Sequence, residues 1–162
     1  DAPGRAFAPG WWGKGEPVFI SNTWRNAAHK ESGKRTGVIR EVSFENISLK
    51  AESCIFLGAD EDCPVEQIRL KNIHISMEKQ GTQPGGLFDE QPSMRNLYEH
   101  GIPGLYARRI SGLQVSDLEV QWRGEIQPWW THLAELEGCG DARLENIRGK
   151  AAREGIESIV NK

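Results

Sequence analysis

The sequence predicts an all-β fold, a parallel β-helix of about four to five coils, and three observations predict it. One short pattern recurs along the chain. Within each copy the apolar residues change parity at an Asn or Asp. No single copy can bury its apolar face, so the copies must stack.

The copies are IREVSFENISL from Ile39, VEQIRLKNIHI from Val65, ISGLQVSDLEV from Ile110 and the shorter ARLENIRG from Ala142. Asp117 stands where Asn46, Asn72 and Asn146 stand in the others. Before the Asn, Val42 and Phe44 alternate with polar residues, as a strand with one buried face does. After it, Ile47 and Leu49 alternate in the opposite parity, and a straight strand would send them outward. A corner at the Asn restores them to the core, and Asn is the non-glycine residue most tolerant of the left-handed conformation. The Asn side chains are then expected to form a ladder, weakened at Asp117, which has no amide to donate. The leucine-rich repeat is the rival, but its Asn falls three residues after the last apolar position, and here it falls two after.

The remaining elements follow in order. VFIS, after Pro17, reads as an apolar strand. Residues 79–95, with QGTQPGGLFDEQP, hold too much Gly and Pro to continue a coil, so an inserted loop is expected there. Residues 153–162 lack the corner and read as a closing strand or short helix capping the last coil. The whole chain, 1–162, is taken as one domain or the C-terminal portion of a longer one.

Composition narrows the partners. A net charge of -3 over 162 residues provides no basic face for nucleic acid. No apolar run approaches the roughly 20 residues that span a bilayer, so no membrane partner is expected. Asp1 opens the sequence without a Met, which is expected of a processed secretory protein or of a piece of a longer chain. The three Cys show neither a zinc spacing nor Cys-x-x-Cys, and no metal or other cofactor is expected. Cys54 and Cys63 either close a small loop or remain separate buried thiols, as Cys139 does.

With the Asn-corner repeat, the segments CIFLGADEDCPVEQIRLKNIHI, GLYARRISGLQVSDLEVQW and WWTHLAELEGCGDARLENIRG resemble the C-terminal coils of glycoside hydrolase family 28. That is the polygalacturonase-like family of right-handed parallel β-helices, and the likeness runs from about Trp11 to Ala152. It implies action on a pectic polysaccharide with inversion, in which one carboxyl assists the leaving oxygen and another activates water. The family's acid motifs are Asn-Thr-Asp and Asp-Asp. Here Asn22-Thr23 is followed by Trp24, and the nearest thing to a pair is Asp60-Glu61-Asp62, which reads as a solvated turn before a catalytic or calcium site. His100-Gly101 lacks the preceding glycine of Gly-His-Gly. Arg69-Leu70-Lys71 mimics the cationic motif but lies inside the repeat, where it reads as a solvent-facing side. The resemblance therefore implies binding walls without the acid-base pair, a chain inactive alone, and a secreted or periplasmic setting. An N-terminal partner chain or a self-stacked dimer is expected at the unpaired first coil. A non-catalytic polysaccharide-binding or structural β-helix is the alternative.

Sugars stack on flat aromatic faces while amides and charges take their hydroxyls and carboxylates. Candidate substrate-binding residues are Trp11 and Trp12, which point to opposite faces of extended backbone, with Lys14 and Glu16 beside them. Arg25 and His100 complete the set, and Asp89 and Arg95 are loop candidates. One of Trp129 and Trp130 is expected in the core, while His29 and His132 read as solvated or hydrogen-bonded.

Overall fold

The computed structural model describes residues 15–34, 36–82 and 84–162. Those residues form an all-β structure with one short helix. In order come β1 (Val18–Asn22), α1 (Ala27–Glu31), β2 (Ile39–Ala51), β3 (Ile55–Ala59), β4 (Val65–Glu78) and the short strands β5 (Leu87–Asp89) and β6 (Leu97–Glu99). After them come β7 (Leu105–Arg108), β8 (Ile110–Ser111), β9 (Gln114–Arg123), β10 (Ala134–Glu137), β11 (Arg143–Glu145) and β12 (Ile159–Asn161).

Two parallel sheets take these strands in turn. The first has the order β1-β3-β7-β10-β12, and the second β11-β9-β4-β2 with β8 beside β4. The registers are in step, so like positions form columns: Val18, Ile55, Leu105, Ala134 and Ile159 lie side by side across the first sheet. Across the second run Phe44, Leu70, Val115 and Leu144. A leucine-rich arrangement, with a helix or 3-10 segment after each strand, is not formed: α1 is the one α-helix among the described residues, and it spans five residues.

The core is made by the inward columns of both sheets. Ile55, Leu57, Leu105, Ala107 and Leu136 meet Ile68, Leu70, Ile73, Ile75, Leu118 and Val120 in one cluster, all essentially without solvent contact. The parity change works as the sequence implies. Asn46, Asn72, Asp117 and Asn146 all have φ between 52° and 58°, and the turn each makes brings both flanking apolar pairs inward. The corners do not split the strands in two, since β2 and β4 pair from Ile39↔Val65 to Ala51↔Met77 across the bend. A second left-handed column escaped the sequence: Glu41 and Gln67 have φ of 59° and 53°, with Gly112 third at 65°. Glu and Gln carry no conformational signature for such a position, unlike Asn.

The Asn72 amide donates to Asn46 Oδ1 at 2.8 Å, and the Asn146 amide donates to Asp117 Oδ1. No such bond joins Asn72 to Asp117 among the described residues, because a carboxylate offers no proton to the carbonyl beside it.

The excursion after β4 does not loop away. It runs on to β5 and β6, an antiparallel pair, and lays that hairpin back on the outer face of the first sheet. Trp130 is fully buried against Trp122 with ring centroids 5.5 Å apart, and its Nε1 donates to Glu52 O. Trp129 lies on Gly85 and Gly86, where a Cβ on Gly85 would meet its ring at 2.3 Å. The three thiols are separate and buried, and burial pushes all of them upward in pKa.

Candidate functional site

Strand alternation sends every second residue of the first sheet away from the core. In register these outward residues form two columns. One is Phe19, Phe56, Tyr106, Glu135 and Val160, and the other is Ser21, Gly58, Arg108 and Glu137. Arg108 and Glu135 are 0% and 2% exposed. Outward charges are ordinarily solvated, so burial of these two requires a cover and partners.

The β5–β6 hairpin is the cover. Phe88 packs edge-on to Phe56 at 5.0 Å, lies 4.8 Å from Tyr106 and stacks on His100 at 4.6 Å. Behind this aromatic layer Arg108 donates from Nη2 to Glu90 at 2.8 Å, from Nη1 to the Tyr98 hydroxyl at 3.1 Å, and from Nε to Ala59 O at 3.2 Å. Arg95 Nε reaches Asp60 at 3.2 Å, and Asp60 also accepts from Trp24 N. Burial opposes the Arg108 charge, but the Glu90 hydrogen bond and its negative charge more than offset that and hold the guanidinium above its ordinary value. Burial and the nearby Glu90 charge raise Tyr98, which remains a phenol. A Cβ on Gly58 would stand 2.7 Å from Glu90 Oε1, so the bare backbone there makes room for the acid.

At the other end of the face lies a second polar group, centred on Glu135. Lys162 Nζ approaches Glu135 Oε1 at 2.6 Å. His100 Nε2 stands 3.5 Å from Oε1 and His132 Nε2 4.0 Å from Oε2. Each imidazole has its other nitrogen on a backbone carbonyl, His100 Nδ1 on Gly101 O at 2.5 Å and His132 Nδ1 on Glu157 O at 2.6 Å. A carbonyl only accepts, so each Nδ1 carries a proton, and Nε2 of each ring faces the Glu135 carboxylate. Tyr106 donates to Glu137 at 2.7 Å, and burial followed by that acceptor raises its pKa.

Chemically, this end gathers two imidazoles, a carboxylate and an ammonium, with the Lys162 side chain exposed. Such a set offers polar partners to hydroxyl groups and a cation, Lys162, to an anionic oxygen, beside an aromatic surface. Among the described residues no three His, Cys, Asp or Glu side chains are placed to hold a metal ion.

The structure brings only His100 of the predicted residues into this group. Trp11, Trp12 and Lys14 lie outside the described residues. Glu16 sits half-buried before β1, its charge felt at Cys54, and Arg25 is exposed ahead of α1. Asp89 is buried and turns its Oδ1 to Gln91 N, while Arg95 serves the hairpin network. Glu61 and Asp62 are solvated, but Asp60 is drawn out of that turn toward Arg95. Arg69 and Lys71 are exposed on β4. Sequence reasoning missed Tyr106, Arg108, Glu135, Glu137 and Lys162. The signal was Leu-Tyr-Ala-Arg and Ala-Glu-Leu-Glu, alternating polar-out strands that precede the repeats at similar offsets.

No family model, curated protein or solved structure matches the chain.

Proposed function

We propose that the chain is a right-handed parallel β-helix that binds a pectic, uronate-bearing polysaccharide along the outer face of its first sheet. In this reading it is the C-terminal part of a polygalacturonase-like glycoside hydrolase and supplies binding walls, with the acid-base pair outside these residues. The alternation of strands between two parallel sheets supports the helical architecture, and the right hand follows the rule for parallel crossovers.

One observation carries the sugar reading: the buried Glu135 carboxylate with two imidazoles and the Lys162 ammonium around it. Such a polar cluster suits ring hydroxyls and Lys162 suits a uronate carboxylate. An extracellular or periplasmic setting accompanies such a substrate. The pairing of the outward carboxylates, Glu90 with Arg108, Glu135 with Lys162 and Glu137 with Tyr106, favours a non-catalytic role for these residues themselves.

Calorimetry with oligogalacturonides is the test. Lys162→Ala is expected to weaken binding about tenfold and His132→Ala somewhat less, with no release of reducing ends from polygalacturonate by the unmodified chain. Equal affinity in both variants removes the site, and hydrolysis by the chain alone removes the division of labour.

A further inference from the structure

Of the four side chains gathered around Glu135, three belong to the strand stack and one is carried to it. Glu135 stands on β10, His132 shortly precedes that strand and Lys162 directly follows β12. His100 directly follows β6, the second strand of the hairpin. The placement of its ring therefore depends on how the hairpin is seated. Beyond His100 the chain is tied to the stack, because Ile102 N donates to Trp129 O at 2.7 Å and Thr131 N donates to Ile102 O at 3.0 Å. His100 itself is tied to the hairpin, its N donating to Gly86 O at 3.0 Å. Its ring lies on Phe88 of β5 with centroids 4.6 Å and planes 20° apart, and Tyr106 meets it from the sheet at 62°.

Tyr98 joins this aromatic stack to the buried ion pair. It pairs with Phe88 in the hairpin register, with the rings edge-on at 5.7 Å. Its hydroxyl accepts from Arg108 Nη1 at 3.1 Å and donates to Glu90 Oε2 at 3.4 Å. One phenol thus bridges a strand of the sheet and the other limb of the hairpin. The tip of the hairpin is held separately, by Met94 N on Trp24 O and by Arg95 on Asp60. Loss of the Tyr98 hydroxyl therefore loosens the part of the hairpin next to His100 while the tip stays attached.

We propose that Tyr98 is a positioning residue for the sugar site: its hydroxyl latches the hairpin to Arg108 and Glu90, and the seated hairpin, through Phe88, holds the His100 ring opposite Glu135. This deepens the sugar reading and rests on it. A molecule with the hairpin unlatched offers the ligand three fixed groups instead of four, and affinity falls with the fraction of molecules that hold His100 in place. The coupling is reciprocal, so a bound oligogalacturonide should slow hydrogen exchange of the His100 and Glu90 amides, whose bonds to Gly86 and Asn96 flank the β5–β6 pair.

Tyr98→Phe is the test, because it keeps the ring and its contact with Phe88 and removes the latch alone. In the free protein, with nitrogen-labelled histidine, the His100 ring resonances are expected to shift while those of His132 stay in place. By calorimetry with oligogalacturonides, Tyr98→Phe should weaken binding about fivefold. The same substitution made in His100→Ala should add no further loss, since the ring it positions is gone. Ile73→Val, a change in the inward column of the second sheet, should lower Tm and leave affinity as it was, which separates positioning from general destabilisation. Unshifted His100 resonances, unchanged affinity in Tyr98→Phe, or an equal loss in the His100→Ala background overturns the proposal. If the unmodified chain binds no oligogalacturonide, the sugar site fails on its own, and the His100 resonances still decide whether Tyr98 places that ring.

Discussion

The outward faces of the two parallel sheets treat their polar residues in opposite ways. On the second sheet Lys50 meets Glu78 and His74 faces Glu119 with water around both pairs. On the first sheet the hairpin closes over Arg108 and Glu90, whose side chains are 1% and 0% exposed. The first face is expensive to build and specific once built, since a buried ion pair is held by geometry and extra hydrogen bonds more than by attraction alone. The second face is a solvated side whose pairs contribute little. A binding role belongs where the chain has spent stability on fixed polar groups.

Removing one partner of the buried pair should separate the faces most. Arg108→Ala leaves Glu90 charged and enclosed and is expected to cost about 3 to 5 kcal/mol in urea unfolding. The mirror change, Lys50→Ala on the solvated face, should lie within the error of the same measurement. A loss in Arg108→Ala no larger than that in Lys50→Ala would erase the distinction.

The next effect lies at the junction of the faces. Glu52 accepts from Lys79 at 2.6 Å and from Gln80 N at 2.9 Å, and it also accepts from Gly81 N, at the exit of β4 toward the hairpin. Burial pushes its carboxyl up, but the Lys79 and backbone hydrogen bonds outweigh that and leave it below its ordinary value. A depressed carboxyl stabilises the fold above its unfolded pKa, and the benefit disappears as pH falls through the folded value. Glu52→Gln should therefore lower Tm at neutral pH, and the gap to the unmodified protein should shrink below about pH 4. A gap that stays constant across that range contradicts the assignment.

The smallest effect is a gain. Asp117→Asn supplies the missing amide between Asn72 and Asn146 and should raise stability by about 0.5 kcal/mol, since the rung is exposed. Unchanged unfolding would show that the ladder is not held by these bonds.

How much of this was legible follows from what each feature depends on. The strands of the second sheet were readable because the parity change at Asn46, Asn72 and Asp117 is a local constraint, written within eleven residues each time. The columns of the first sheet were not, because Tyr106, Arg108 and Glu135 acquire meaning only when the hairpin folds back over them from another part of the chain. Gly and Pro in residues 79–95 marked a departure from the repeat, but Phe88 and Tyr98 gave no sign of which surface they would cover. His100 was found through a partial motif, and its neighbours Glu135, His132 and Lys162 come from positions 32 to 62 residues later.

Gly58 turns that folded-back hairpin into something a single carbon atom can control. Its outward side is vacant only because the residue has no side chain, and Glu90 and the Phe56 ring fill the vacancy. An alanine methyl would stand 2.7 Å from Glu90 Oε1 and 2.8 Å from the Phe56 ring, so it would press on the lid and on the aromatic layer it covers together. The protein thus carries a natural handle for lifting the cover of its own polar face, and a crystal of Gly58→Ala would picture that face undressed.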